Sequence, residues 1–235
     1  MPHHFVNRPR LHAPGGVRPG ERSQFLWERA NTVVYLVGGV LFVWGSILFF
    51  PALSSREDRG AWLFIVGSML YLLVTGHDLV EVAKHRRRVG RTASAGDRLE
   101  AASALCYVLG TLFFVVGSVC FLSSVGRFDL GAWGFVTGSM LFLCGSVIDV
   151  LMVADEPRAD VLQLMNLTAL TFVTGSVLFL VASVPYLLQF DDTADQRKVD
   201  ALVAAQYVWG SLLFLVGGFF NYLRARVIAG SARVD

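Results

Sequence analysis

The chain has 235 residues, 54% of them apolar and only 16% charged, with a mean hydropathy of +0.57. Soluble domains carry about 25% charge, and here the charges are confined to a few stretches, so the composition excludes an ordinary soluble domain and points to a membrane. A net charge of +2, with no basic face interleaved with aromatics, gives no reason to expect a nucleic-acid partner.

Residues 1–30 hold five arginines, several Pro and Gly and no apolar run, and read as a polar, disordered cytoplasmic tail rather than a cleavable leader. Trp27, beside Phe25 and Leu26, closes this tail as an interfacial anchor. A hydrocarbon core of about 30 Å needs about 20 apolar residues in helical form. Six stretches meet that requirement: 32–53, 61–82, 101–123, 131–153, 164–188 and 201–223. They predict an all-α integral membrane protein whose six transmembrane helices form three tandem hairpin repeats: residues 31–83, 101–153 and 164–223. The linkers are 84–100, strongly basic in "KHRRRVGR", and 154–163, with a second tail at 224–235. Trp62 and Trp133 stand two residues into the second and fourth spans and are expected to anchor them at the interface.

The repeat is written in glycine. "RGAWLFIVGSMLYL" from Arg59 returns 71 residues later as "LGAWGFVTGSMLFL" from Leu130. The first spans of the hairpins carry Gly38 and Gly45, then Gly110 and Gly117, then Gly175 and Ala182; the second spans carry Gly67, then Gly138 and Gly145, then Gly210 and Gly217. Seven residues fall about 20° short of two helical turns, so each pair shares a stripe. In lipid no hydrophobic force draws helices together, and small residues that permit close backbone approach take over that role. These glycines are therefore expected to be helix-packing seams, with crossings near +20°. The adjacent serines 46, 68, 118, 139, 146 and 211 are placed to donate across them.

Asp78, Asp149 and Asn221 each lie eleven residues after the seam glycine of an even span, and His77 and Glu81 flank Asp78. Two readings stand for this register. The residues mark the membrane boundary, or they converge as a polar cluster able to hold a cation or a shared proton. Cys106, Cys120 and Cys144 fall inside apolar runs with no CxxC and no nearby His, and read as packing residues; no metal or cofactor is implied. No P-loop, HExxH or nucleophile elbow occurs, and no catalytic residue is assigned.

Orientation follows from the Lys and Arg beside the spans: fifteen on the side of the two tails and the linkers, five on the side of the hairpin tips. Both termini are expected in the cytoplasm. The run Lys84, Arg86, Arg87 and Arg88 is a topology determinant that also suits anionic lipid headgroups.

The stretches "WERANTVVYLVGGVLFVWGSILFFPAL" from Trp27 and "RGAWLFIVGSMLYLL" from Arg59 to Leu73 resemble the YrhK-type domain of bacterial membrane proteins. The resemblance rests on a G-S-x-L-F motif at Gly45–Phe49 and an A-W-L-F-x-x-G-S motif at Ala61–Ser68. It extends to the second hairpin, from Leu109 to Val150, and fades in the third. Such domains end the second helix in an Arg-containing turn, where this chain has Asp78, Asp149 and Asn221. What the resemblance implies is a multi-pass protein of a bacterial inner membrane. The expected role is a non-enzymatic structural or assembly component. Two alternatives remain: a small transporter or ion channel working through the polar register, and a membrane sensor or accessory subunit. The partner named by the sequence is the lipid bilayer; a homo-oligomer stays open.

Overall fold

The computed structural model describes residues 21–90, 94–153, 158–188 and 193–231. Six helices run through them: α1 (Glu21–Leu48), α2 (Glu57–Val89), α3 (Ala95–Cys120), α4 (Phe128–Val153), α5 (Ala159–Ser183) and α6 (Thr193–Ser231). Short 3-10 turns, Pro51–Arg56 and Val184–Leu187, finish the tips of the first and third hairpins. All six helices are long and apolar enough to cross a membrane. The protein is therefore an all-α, multi-pass membrane protein, with no strand among the described residues.

Local chemistry explains where the helices begin and end. Glu57 and Asp58 open α2 and Arg86, Arg87 and Arg88 close it, each charge facing the helix-dipole end it favours. Gly90, at φ 58°, ends the helix in a left-handed conformation that a Cβ disfavours. Ser94 and Asp97 form a capping box at the start of α3: Ser94 Oγ accepts from the Asp97 amide at 3.1 Å, and an Asp97 carboxylate oxygen accepts from the Ser94 amide at 2.8 Å. His85 Nε2 lies 2.9 Å from the same carboxylate and ties the end of α2 to the start of α3. Gly126, at φ 62°, makes the turn into α4.

The helices outrun the apolar spans. α2 and α3 take up most of the basic linker at 84–100, α5 begins at Ala159 inside the expected linker, and α1 begins at Glu21 inside the expected tail. At about 1.5 Å per residue the 39 residues of α6 extend about 58 Å, well beyond the hydrocarbon core. Hydropathy marks what lipid covers, whereas helix propensity and packing decide where the coil stops.

Each helix packs on its chain neighbours, and α6 returns to α1, so three antiparallel hairpins close into a ring. Within a hairpin the glycine stripes meet. A Cβ on Gly38 would stand 3.3 Å from the Gly67 carbonyl oxygen, and one on Gly110 would stand 3.1 Å from that of Gly138. In the third hairpin a Cβ on Gly175 would stand 3.1 Å from the carbonyl oxygen of Gly210. All ten seam glycines are buried. The serines beside them do less than expected. Ser46 and Ser118 donate to their own helices, to the carbonyls of Phe42 and Phe114, both at 2.7 Å. Two contacts of these serines cross helices among the described residues: Ser46 with Ser211, at 3.2 Å between α1 and α6, and Ser146 with the Tyr107 hydroxyl, at 3.2 Å between α4 and α3. Ser68 Oγ and Ser139 Oγ have no hydrogen-bond partner among the described residues. A helical serine has its own i−4 carbonyl within reach, which a neighbouring helix has to compete with.

Trp62 and Trp133 point out of the bundle, each 57% exposed, as interfacial anchors do. The side chain of Trp27 lies outside the described residues. Cys106 and Cys120 are half-buried and Cys144 is exposed, all as free thiols.

Candidate functional site: a filled axis between two polar ends

The ring encloses a column of aromatic side chains. Fifteen positions, five per hairpin, fall at equivalent registers of the repeat, and all are Phe or Tyr. From the hairpin tips inward the tiers are Phe49, Phe121 and Tyr186; Phe64, Phe135 and Tyr207; Phe42, Phe114 and Phe179; Tyr71, Phe142 and Phe214; and Tyr35, Tyr107 and Phe172. In the second tier the three centroids form a closed triangle with sides of 5.9, 6.0 and 6.3 Å. Neighbouring tiers interlock, as in Phe114 with Phe135 at 5.2 Å and Phe179 with Phe214 at 5.6 Å. These separations are those of favourable tilted and edge-to-face pairs.

Each ring needs a recess, and glycine supplies it. A Cβ on Gly45 would stand 2.7 Å from the Phe64 ring, one on Gly110 would stand 2.8 Å from Phe142, and one on Gly210 would stand 2.6 Å from Phe179. Gly145 and Gly217 receive Tyr107 and Phe172 in the same way, both at 3.1 Å. The heptad of glycine on one helix thus faces a heptad of aromatics on its mate. Sequence reasoning singled out the glycines and missed the rings. The signal was present: an aromatic stands three residues before and four after each first glycine of the stripe.

At the end of the bundle where α1 begins and α6 ends lies a polar layer. Asp78, Asp149 and Asn221 are all buried in the ring, along with Glu81, while His77 is half-buried with its Nδ1 4.0 Å from Asp78. Asp149 is the best defined: Ser103 Oγ donates to it at 2.5 Å and the Tyr107 hydroxyl at 2.6 Å, both from its hairpin mate α3. Glu100, Asn31, Thr32 and Arg224 are buried at this end as well, and sequence reading did not single them out. Glu100 and Arg224 lie at or beyond the ends of the apolar spans, so hydropathy gave no reason to place them inside. Arg86, Arg87 and Arg88 project from the same end as exposed side chains.

The opposite end opens as a bowl of about 700 Å³ on the axis, between the tips. Its floor is the first aromatic tier, Phe49, Phe121 and Tyr186, joined by Phe128. Its rim carries Ser54, Glu57, Gln196, Arg197 and Asp200, three of them on the first turns of α6. Gln196 Nε2 donates to Asp200 at 2.7 Å. Partial burial, then the nearby charges of Asp200 and Asp58, hold the Glu57 carboxyl above its ordinary range. Asp58 beside it is lowered, because the Ser123 hydroxyl and amide both donate to it, at 2.5 and 2.8 Å. The bowl was not foreseen, because its residues come from three connectors that only ring closure brings together.

The family model described as YrhK-like protein matches residues 26–82 and 97–153, which are the first two hairpins. No curated protein and no solved structure matches the chain. The third hairpin repeats the glycine and aromatic registers of the first two outside the matched residues. The chain thus carries two YrhK-like domains in tandem, with a third hairpin on the same plan closing the ring.

Proposed function

We propose that the protein is a non-enzymatic structural or assembly component of a bacterial inner membrane, with both termini in the cytoplasm, and that it does not conduct along its axis. The observation that carries this reading is the triangle of Phe64, Phe135 and Tyr207. Centroid separations near 6 Å put three rings in mutual contact across the axis and leave no width for a hydrated ion. Four more aromatic tiers stack along the axis, so a pathway would have to displace rings seated in glycine recesses in every hairpin. The fifteen-to-five bias of Lys and Arg supports the orientation. Exposed Arg86, Arg87 and Arg88 support contact with anionic headgroups on the cytoplasmic leaflet.

Reconstitution into liposomes loaded with pH- and potassium-sensitive dyes tests the reading. The expected result is leakage equal to that of empty liposomes. A protein-dependent proton or cation flux that disappears in the Asp78→Asn, Asp149→Asn double variant would overturn it in favour of a transporter. Reporter fusions check the orientation: a cytoplasm-active reporter is expected to work at both ends. One observation favours a second reading, that of a sensor or accessory subunit: the concave bowl between the tips, which a purely structural bundle has no need to form.

A further inference from the structure

The geometry points to the bowl at the hairpin tips as a binding site for a small organic monocation: an amine or quaternary ammonium compound carrying an apolar or aromatic body. The site has the size of a small-molecule pocket, which runs to roughly 300–1,000 Å³. Its volume of about 700 Å³ sits on the pseudo-threefold axis, where each hairpin contributes one aromatic to the floor: Phe49, Phe121 and Tyr186. Phe121 lies 5.1 Å from Tyr186 and 6.4 Å from Phe49, centroid to centroid, at interplanar angles of 78° and 50°, so the floor is a contiguous aromatic patch of ring faces and edges. Such faces attract a cation within about 6 Å, and ammonium groups bearing methyls lose little hydration there.

The rim supplies the countercharge. Glu57 on α2 and Asp200 on α6 line the bowl, and the Asp200 charge contributes to holding the Glu57 carboxyl above its ordinary range. Two carboxylates lining one bowl repel, and a cation between them relieves the repulsion. Arg197 is the third charged lining residue among the described residues, so these three carry a charge of −1 with both acids ionised, which one monocation neutralises. A ligand with an apolar body and a single positive head matches floor and rim together; an anion or a neutral body matches only one of them. This inference stands apart from the question of conduction, since the bowl lies above the closed triangle and a ligand there need not cross.

Isothermal titration of the full chain in an uncharged detergent tests it. The probe is benzyltrimethylammonium, with benzyl alcohol as the neutral comparison. At pH 7.5 the cation is expected to saturate a single site with a Kd of about 1 mM or tighter, and benzyl alcohol to bind at least about tenfold more weakly. Glu57→Gln and Asp200→Asn are each expected to weaken the cation about tenfold, and Tyr186→Leu to weaken it less. Glu57 is exposed and Asp200 half-buried, so thermal melting in detergent serves to confirm that the variants remain folded. Affinity is expected to fall with acidification, since protonation removes the negative charge. Among the described residues the charged and titratable groups lining the bowl are Glu57 from α2, Arg197 and Asp200 from α6, and Tyr186 from the third tip, with Asp58 next to Glu57 outside the lining. Because Glu57 is held above its ordinary range, the decline begins at a higher pH than an isolated glutamate would give. Equal affinity for the cation and benzyl alcohol, no saturable binding, unchanged affinity in the Glu57→Gln, Asp200→Asn double variant, or tighter binding of inorganic phosphate would each overturn the proposal. A flux result in liposomes leaves these outcomes untouched, so the two readings fail separately.

Discussion

Gly110 and Gly138 face each other backbone to backbone: a Cβ on Gly138 would stand 2.9 Å from the Gly110 carbonyl oxygen, and one on Gly110 would stand 3.1 Å from the Gly138 carbonyl oxygen. Glycine costs about 1 kcal/mol as a helix former relative to alanine, so the seam tests which effect wins. Gly138→Ala improves propensity but drives a methyl into a backbone atom that cannot rotate away, and overpacking of this kind costs about 1–3 kcal/mol. We expect a net loss of thermal stability in detergent. Gly76→Ala is the comparison, since a Cβ there meets nothing within 4 Å and leaves the propensity gain unopposed. Its melting temperature is expected to hold or rise. Equal responses from the two variants would remove the account of the seam.

The aromatic column predicts a cost for opening a void. Phe135 touches Phe64, Phe114, Phe121 and Tyr207, with centroids between 5.1 and 6.0 Å. Phe135→Ala leaves a cavity inside a closed ring that has little freedom to collapse, and is expected to lower unfolding free energy by about 3–5 kcal/mol. Val66→Ala removes apolar bulk from the lipid-facing surface, where Val66 is 47% exposed, and should cost far less. Reversible unfolding in mixed micelles measures both.

At the polar end, Asp149 depends on two donors from α3. Tyr107→Phe deletes one of them and leaves the carboxylate buried, at an expected cost of about 1–3 kcal/mol. In an Asp149→Asn background the same change should cost less, because an amide can turn its own donor or acceptor to what remains. A double-mutant cycle on unfolding free energies gives the coupling. Additive costs within about 0.3–0.5 kcal/mol would mean that the pair is not energetically linked.

At the tips, Asp58 of the first hairpin accepts from the hydroxyl and the amide of Ser123 in the second. Both bonds favour the ionised acid, which lowers its proton affinity in the folded state. A depressed carboxylate contributes stability that is present above its unfolded pKa and is lost as pH falls through the folded one. Hydrogen exchange at the Ser123 amide is therefore expected to be protected at neutral pH, with protection lost only in strong acid. Asp58→Asn should abolish that pH dependence and speed exchange locally, with little change in global melting, because the pair is exposed.

Much of the architecture is legible in the sequence. Lipid-length apolar runs name the six helices, because a bilayer leaves the backbone no alternative to internal hydrogen bonding. Glycines at sevens name the seam, because a period near 3.5 keeps one stripe facing one neighbour. The aromatic heptad was equally periodic but passed for ordinary hydrophobicity, since in a chain that is 54% apolar a phenylalanine stands out less than a glycine. The serine bridges were misjudged because sequence spacing does not say whether a hydroxyl turns to its own helix or to the next. For Asp78, Asp149 and Asn221 the shared register could be read off directly, while the choice between boundary and interior could not. Burial depends on which side of the helix the ring encloses.

What the sequence by itself determined is therefore everything governed by the period of one helix or the likeness of one hairpin to another: the spans, their pairing in threes, and the small-residue stripe. Tertiary structure alone decided that α6 closes on α1, that fifteen rings fill the axis, that Asp149 turns inward to Ser103 and Tyr107, and that three separate tips enclose one bowl. The reason is physical. Local periodicity is set by backbone hydrogen bonding along a single cylinder, whereas closure depends on the sum of crossing angles around three hairpins, to which residues far apart in the chain contribute together.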